Sequence, residues 1–346
     1  MTKIKILITV IVLVAVYFGI QSWKSVENLE ETTDGPYVFI ENGKLIERKV
    51  EKGQIVEKEL NKNAFEIEYK PDASVFSNIS KIASLSDIHG QFDLAIEIMK
   101  NNKIIDENLN WNYGNGHFVI VGDIFDRGDK VNETLWFVYN LEKQAEKVGG
   151  KVHFLLGNHE FMILKNDDRY IHDKYVNVTK VLGKSYAELY GKNTVLGKWL
   201  RSKSTAVKIN NSVFVHGGVS QEFLDHRKDF DLAEINEIMR SAIDMSKDEM
   251  KTKNIYEPYF KSNSLIWFRG YFYGDMKDEE VGSILKEIDS EHLVVGHCSN
   301  EEIVKLFDGK VYGVDSSIKK GEYGEILFIE QDNFSKGTKG GEKKKF

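Results

Sequence analysis

The sequence predicts an α/β fold, and two observations carry that expectation. Short, continuous apolar runs recur through the body of the chain: KIASL, HFVIV, KVHFLL, SVFV and HLVV. Each ends in a cluster of Gly, Asp, Asn or His. Uninterrupted runs of this length suit strands buried on both faces. Helix-period segments lie between several of them, including FDLAIEIMK and VNETLWFVYNLEKQAEKV, the latter closed by Gly149 and Gly150. Strands alternating with helices indicate an α/β architecture.

Taken from the N-terminus, Lys3 and Lys5 precede an apolar run from Ile6 to Ile20, followed by Gln21 and Trp23. About 20 residues cross a bilayer, and Ile4 to Trp23 reach that length if Lys5 snorkels. No A-x-A cleavage site follows and no cysteine lies nearby for lipidation. Residues 1–23 are therefore expected to be an uncleaved membrane anchor, with a cleaved signal peptide and secretion as the alternative. Basic residues before the run and Glu27, Glu30 and Glu31 after it place the body on the extracytoplasmic, periplasmic side.

Residues 24–75 read as a linker and a small β-meander, DGPYVFIENGKLIERKVEKGQIVEKELN, with turn signals at ENGK and EKGQ. Residues 76–332 form the expected main α/β domain. A helix starting at Asp231 carries Glu234 at capping-box spacing. Residues 333–346 are rich in Gly and Lys and are expected to be disordered. The chain has 346 residues and a net charge of −7, with a pI of about 5.8. It lacks the broad basic surface that nucleic acid selects. Cys298 stands alone, so no intrachain disulfide forms.

In α/β sheets, ligands bind beyond the carboxyl ends of strands. The polar clusters there supply Asp87, His89, Asp123, Asn158, His216 and His297, oxygen and imidazole donors of the kind that hold first-row divalent metals. They suffice for two sites. Asp123, Asp126 and Asp129 crowd into GDIFDRGDK, and a bound cation relieves such like-charge crowding. Arg127 on the same turn has the fork geometry for phosphoryl oxygens. A lone DxH, HGG or GNHE would be a turn or a structural histidine; five such clusters in order at five strand ends are not. His117 and His153, inside apolar runs, are expected in the core, and His172, His226 and His292 at the surface.

The ordered set DIHG, GDIFDRG, GNHE, HGG and GH resembles the calcineurin-like metallophosphoesterases, and the Arg in GDIFDRG resembles the phosphoprotein-phosphatase branch. GNHEFMILKNDDRYIHDKY, KWLRSKSTAVKINNSVFVHGG and SLIWFRGYF look like the bacterial, Shewanella-like members; the likeness covers about Ile82 to Phe328. It implies two packed β-sheets flanked by helices, a four-layer α/β/β/α fold with metals at strand C-terminal ends. By the same likeness Asp87, His89 and Asp123 hold one divalent metal, and Asp123, Asn158, His216 and His297 a second. Manganese is the first expectation, with iron, zinc or cobalt as alternatives. A hydroxide shared by the metals attacks phosphorus directly. Arg127, Arg269 and Asn158 bind the phosphoryl group, His159 is the general acid, and Asp126 orients it.

Three departures accompany the resemblance. Ser86 stands where many relatives carry Gly, and Ser317 near where relatives carry a Gly after an Asp like Asp315, which leaves the floor of the pocket undetermined. Ser299 replaces the second histidine of the GHxH found in phosphodiesterases, which favours a monoesterase. The expected activity is a dimetal phosphomonoesterase acting on phosphoprotein, phosphopeptide or a small phosphoester, phosphotyrosine included. The alternatives are a diadenosine-polyphosphate-type hydrolase and a non-catalytic, metal-stabilised scaffold.

Overall fold

A computed structural model describes residues 29–346. The expected membrane anchor, residues 1–23, lies outside the described residues. Among the described residues no helix is long and apolar enough to cross a membrane.

The first unit is the antiparallel meander β1 (Asp34–Glu41), β2 (Lys44–Glu51) and β3 (Gln54–Leu60). Its two hairpins turn at Asn42–Gly43 and Lys52–Gly53, and all four residues have positive φ. Two consecutive left-handed residues match the twist of the flanking strands, which is why ENGK and EKGQ signal hairpins. The meander is fastened to the body. The Pro36 carbonyl accepts from Trp136 Nε1 at 2.7 Å, the Asn193 carbonyl accepts from Ile40 N at 2.7 Å, and Lys174 Nζ lies 2.6 Å from buried Asp34.

The body holds two six-stranded sheets. One has the order β15-β14-β13-β5-β6-β7; the other, which begins with β11 (Val304–Leu306) and β12 (Val311–Gly313), has the order β11-β12-β10-β9-β8-β4. Three parallel neighbours form one half of the first: β5 (Lys81–Leu85), β6 (His117–Ile120) and β7 (Lys151–Phe154), with β7 at the edge. In the second, β9 (Ser212–Val215) and β10 (His292–Val295) run parallel, β8 (Ala206–Ile209) lies antiparallel to β9, and β4 (Val75–Phe76) closes the edge.

Alternate residues of each strand feed different cores. Ile82, Val119, Phe214 and Val294 meet between the sheets. Leu85, Phe118, Ile120, Val213 and Val295 instead pack in the core that the helices cover. Burial on both faces is the physical reason these strands are continuously apolar. The result is the four-layer arrangement, with helices such as α1 (Phe92–Asn101) and α2 (Val131–Glu146) outside the sheets.

The expected disordered tail is a correction. Residues 333–346 form β14 (Asn333–Thr338), paired antiparallel with β13 (Glu325–Glu330), and β15 (Lys343–Lys345), paired with β14. Gln331 and Asp332 both have positive φ and make a two-residue hairpin. Lys336 Nζ contacts Glu302 at 2.6 Å and Lys343 Nζ contacts Glu330 at 3.1 Å. The charge that reads as a solvated tail is thus matched across strands. His292 also departs from expectation. It is half-buried in β10, with Nδ1 2.8 Å from the Gly309 carbonyl. His117 and His153 are buried and bonded to each other at 3.0 Å, while His172 and His226 are exposed. The helix at Asp231 runs Leu232–Ala242, and its cap side chain accepts from Ala233 N and Glu234 N. Glu234 does not reach back to close a capping box, because its carboxylate takes Arg227 Nη2 at 2.7 Å.

Candidate active site

The parallel strands β5, β6 and β7 release Asp87, Asp123 and Asn158 from one sheet, and β9 and β10 release His216 and His297 from the other. Packing the sheets brings these ends together. Six of the residues there adopt left-handed backbone: Asp87, His89, Asp123, Asp126, Arg127 and His297. Non-glycine residues do so at a cost of about 1–3 kcal/mol each, and such strain persists only where the surroundings over-determine it. Here they do. His89 N donates to the Asp123 carbonyl at 2.9 Å, Asp87 N to the Gly122 carbonyl at 3.1 Å and Arg127 N to the Tyr170 carbonyl at 2.9 Å. Glycine is required at Gly157, where a Cβ would fall 2.3 Å from Asp123 Oδ1.

Glu160 is the organiser that the sequence reading passed over. Fully buried at the start of α3 (Asn158–Leu164), its carboxylate accepts from Gly157 N at 2.7 Å, Ile124 N at 2.8 Å, Asp123 N at 2.9 Å and Phe125 N at 3.3 Å. It ties the GDIFDRG turn to the GNHE turn. A carboxylate inside an otherwise apolar helical run was the available signal.

Three of the buried histidines are anchored through Nδ1. His89 Nδ1 bonds the Phe125 carbonyl at 2.6 Å and His216 Nδ1 the Val121 carbonyl at 2.7 Å. Their Nε2 atoms lie 3.6 Å and 3.1 Å from Asp123 Oδ2, and His216 Nε2 also lies 3.0 Å from Asn158 Oδ1. His159 differs, since its Nδ1 bonds the Asp126 carboxylate and not a carbonyl. Burial opposes protonation of His159, but Asp123 and Asp126 outweigh it and raise its pKa. Asp87 adjoins the cluster, with Oδ1 3.7 Å from His89 Nε2, and its other oxygen accepts from Ser86 Oγ at 2.6 Å and His297 N at 2.9 Å.

The donor atoms of His89, Asp123 and His159, and those of Asp123, His216 and His297, each gather within 4.8 Å. Asp123 is common to both sets. Burial, followed by the charge of Asp315, pushes Asp87 up to about 8. Burial and then His216 push His297 down to about 2. Its Nε2 is buried without a hydrogen-bond partner, a condition that costs about 1–3 kcal/mol. Crowded carboxylates, imidazole nitrogens directed inward and one orphaned nitrogen fit a pair of divalent cations. Asp87, His89 and Asp123 would hold one, and Asp123, Asn158, His216 and His297 the other.

Above these groups opens a cavity of about 180 Å³, lined by Asp87, His89, Asp123, Arg127, Asn158, His159, Arg269 and His297 together with Tyr170, Trp267 and Lys319. Asp126 and His216 stand behind it. Arg127 and Arg269 are exposed, and among the described residues neither guanidinium is ion-paired. Asp129 is exposed and contributes only its carbonyl, to Tyr175. Ser317 is left-handed, its Oγ bonds the Asn300 carbonyl at 2.7 Å and its N donates to Asp315 at 3.0 Å. Ser299 likewise turns to Asp315, at 2.6 Å. A wider groove of about 680 Å³ shares Asn158, Met162 and Trp267 with the cavity and continues along Phe161, Tyr256, Phe260 and Ile266, with Lys251, Lys253 and Lys261 also lining it.

Comparison with known proteins identifies the fold. The chain is 37% identical to a cold-active protein-tyrosine phosphatase of a psychrophilic Shewanella species, with a TM-score of 0.87 over 90% of this chain and 99% of that one. It is 29% identical to Shewanella-like protein phosphatase 1 of Plasmodium berghei over 63% of this chain and 60% of that protein. Against Shewanella-like protein phosphatase 2 of Arabidopsis thaliana, identity is 25% over 75% of this chain and 77% of the other. A profile described as calcineurin-like phosphoesterase matches residues 80–299, the span that carries every strand-end cluster described above. The chain therefore belongs to the calcineurin-like phosphoesterase family, as a metal-dependent phosphatase of the Shewanella-like protein phosphatase kind.

Proposed function

We propose that this phosphatase hydrolyses phosphate monoesters on proteins or peptides, with phosphotyrosine preferred, and that manganese is its working metal. The observation that carries the reading is the pairing of a carboxylate-held His159 with two unpaired guanidiniums around one small polar cavity that opens into a longer apolar groove. The cavity suits a phosphoryl group; the groove offers room for polypeptide on one side of it. The similarity to a protein-tyrosine phosphatase supports the aryl preference.

When bound, two divalent cations acidify water and offset phosphoryl charge. The chain's own residues do the rest. Arg127 and Arg269 grip the phosphoryl oxygens and stabilise charge in the transition state, and the Asn158 amide contributes beside them. His159 delivers the Nε2 proton to the departing oxygen. Asp126 fixes the ring so that Nε2 faces the cavity, and it favours the imidazolium before transfer. Asp123, shared by both donor sets, would offset the charge of both cations.

The test is a panel assayed with Mn²⁺: phosphotyrosine and phosphoserine peptides, a dinucleoside polyphosphate and a phosphodiester. Fastest turnover on the phosphotyrosine peptide is expected. Turnover of the dinucleotide alone would favour a polyphosphate hydrolase, and diester cleavage without monoester cleavage would overturn the reading. Inertness towards every ester with both metals bound would support the scaffold alternative. For location, we propose an anchored, extracytoplasmic enzyme on the charge asymmetry around residues 6–20. A reporter fused after Phe346 and active only in the cytoplasm would contradict that topology.

A further inference from the structure

Tyr170 is 46% exposed although it lies directly beside the buried catalytic cluster. Its ring centre is 5.6 Å from that of His159, and its carbonyl accepts from Arg127 N at 2.9 Å. Two guanidiniums flank the ring, Arg127 at 5.7 Å and Arg169 at 5.5 Å from its centre. Arg169 is held in turn by a two-pronged bond to Asp167, at 2.7 Å and 2.9 Å. Cations over an aromatic face fix its orientation. The ring therefore stands ordered and partly open to solvent at the mouth, on the side where the leaving group must sit to receive a proton from His159.

We infer that Tyr170 is a specificity residue: its ring is the wall on which an aromatic leaving group stacks, so that it selects aryl over alkyl phosphate esters. The inference rests on the phosphomonoesterase reading above. Bound between Arg127 and Arg269, a phosphoryl group directs its ester oxygen to His159, and a phenyl ring on that oxygen lies within contact range of Tyr170. A serine methylene is too short to use the same surface. Stacked or edge-on ring pairs contribute a factor of about 2–12 in binding beyond simple burial.

The experiment measures kcat/KM for two peptides identical except for phosphotyrosine or phosphoserine at the central position, on wild type, Tyr170→Ala and Tyr170→Phe. Tyr170→Ala is expected to lower the aryl-to-alkyl ratio of kcat/KM about 5–10-fold, with most of the loss in KM, and Tyr170→Phe to restore it. A ring that merely buttressed His159 would behave oppositely. Weakened acid catalysis harms the alkoxide, the poorer leaving group, more than the phenoxide, so the ratio would rise. An unchanged or rising ratio overturns the inference. Wild-type protein that turns over neither peptide overturns the phosphomonoesterase reading, and this inference with it.

Discussion

Replacing Glu160 with Gln tests whether the site is held by one buried carboxylate. The side chain keeps its length, but one oxygen becomes an NH₂ donor. In the native structure Oε2 accepts from Asp123 N and Gly157 N, and Oε1 from Ile124 N and Phe125 N. Four N–H groups converge on two oxygens, which leaves no acceptor for an added donor. Either orientation of the amide therefore abandons two buried N–H groups and points a donor at them. The orientation that sacrifices the 3.3 Å Phe125 contact is the milder. At about 1–3 kcal/mol for each unsatisfied donor, the loss is about 2–6 kcal/mol. That is a large part of the ~5–15 kcal/mol by which domains are stable. A fall in Tm of at least about 3 °C is expected. Because Ile124 N and Phe125 N are then the abandoned groups, the turn that follows Asp123 and aims its carboxylate loosens as well. Metal affinity and activity should then fall together with stability. Thermal scans, calorimetric Mn²⁺ titration and phosphate release on one preparation supply the assay. Wild-type Tm and activity would refute the reasoning. So would lost activity with intact Tm and metal binding, which would give Glu160 a chemical role.

Asp123→Asn and His159→Asn should fail differently. The first removes the charge shared by both donor sets, so metal content and activity drop together. The second should retain both metals while kcat falls by about 10²–10⁴-fold, less for an aryl phosphate whose leaving group departs unprotonated; metal loss in His159→Asn would mark the ring as a ligand. Asp34 supplies a pH prediction away from the site. Burial raises its pKa despite Lys174, so its proton-linked stabilisation is complete below the unfolded carboxylate pKa and is lost as pH rises through the higher folded value. The stability of Asp34→Asn, measured as Tm against pH, should lack that decline across mildly acid pH; curves of identical slope would contradict it.

The legible parts of this protein are those where one residue type serves one need. Continuous apolar runs disclosed the strands because both faces are buried, as Val119 and Phe118 show by facing different cores. Asp87, His89, Asp123, Asn158, His216 and His297 could be picked out because oxygen and imidazole donors stand in order at strand ends. Glu160 was hidden because its partners are backbone N–H groups, which carry no side-chain signature. Tyr170 reaches the cavity from a turn and Lys319 from the short 3-10 helix Ile318–Lys320, and where each points depends on tertiary packing. The tail failed for a further reason: Lys336 and Lys343 look solvated until Glu302 and Glu330 are brought opposite them. The meander was visible through its two turns, but not its attachment, since Asp34 and Lys174 lie far apart in sequence.

The central claim is that Asp87, His89, Asp123, Asn158, His216 and His297 hold two cations that phosphoester hydrolysis requires. Stripping the protein exhaustively with chelator and titrating Mn²⁺ while following bound metal and phosphate release from a phosphotyrosine peptide tests it most directly. Activity should vanish on chelation and return as occupancy approaches two ions per chain. Full turnover by metal-free protein, or none on that peptide and every other phosphoester with two ions bound, would contradict it.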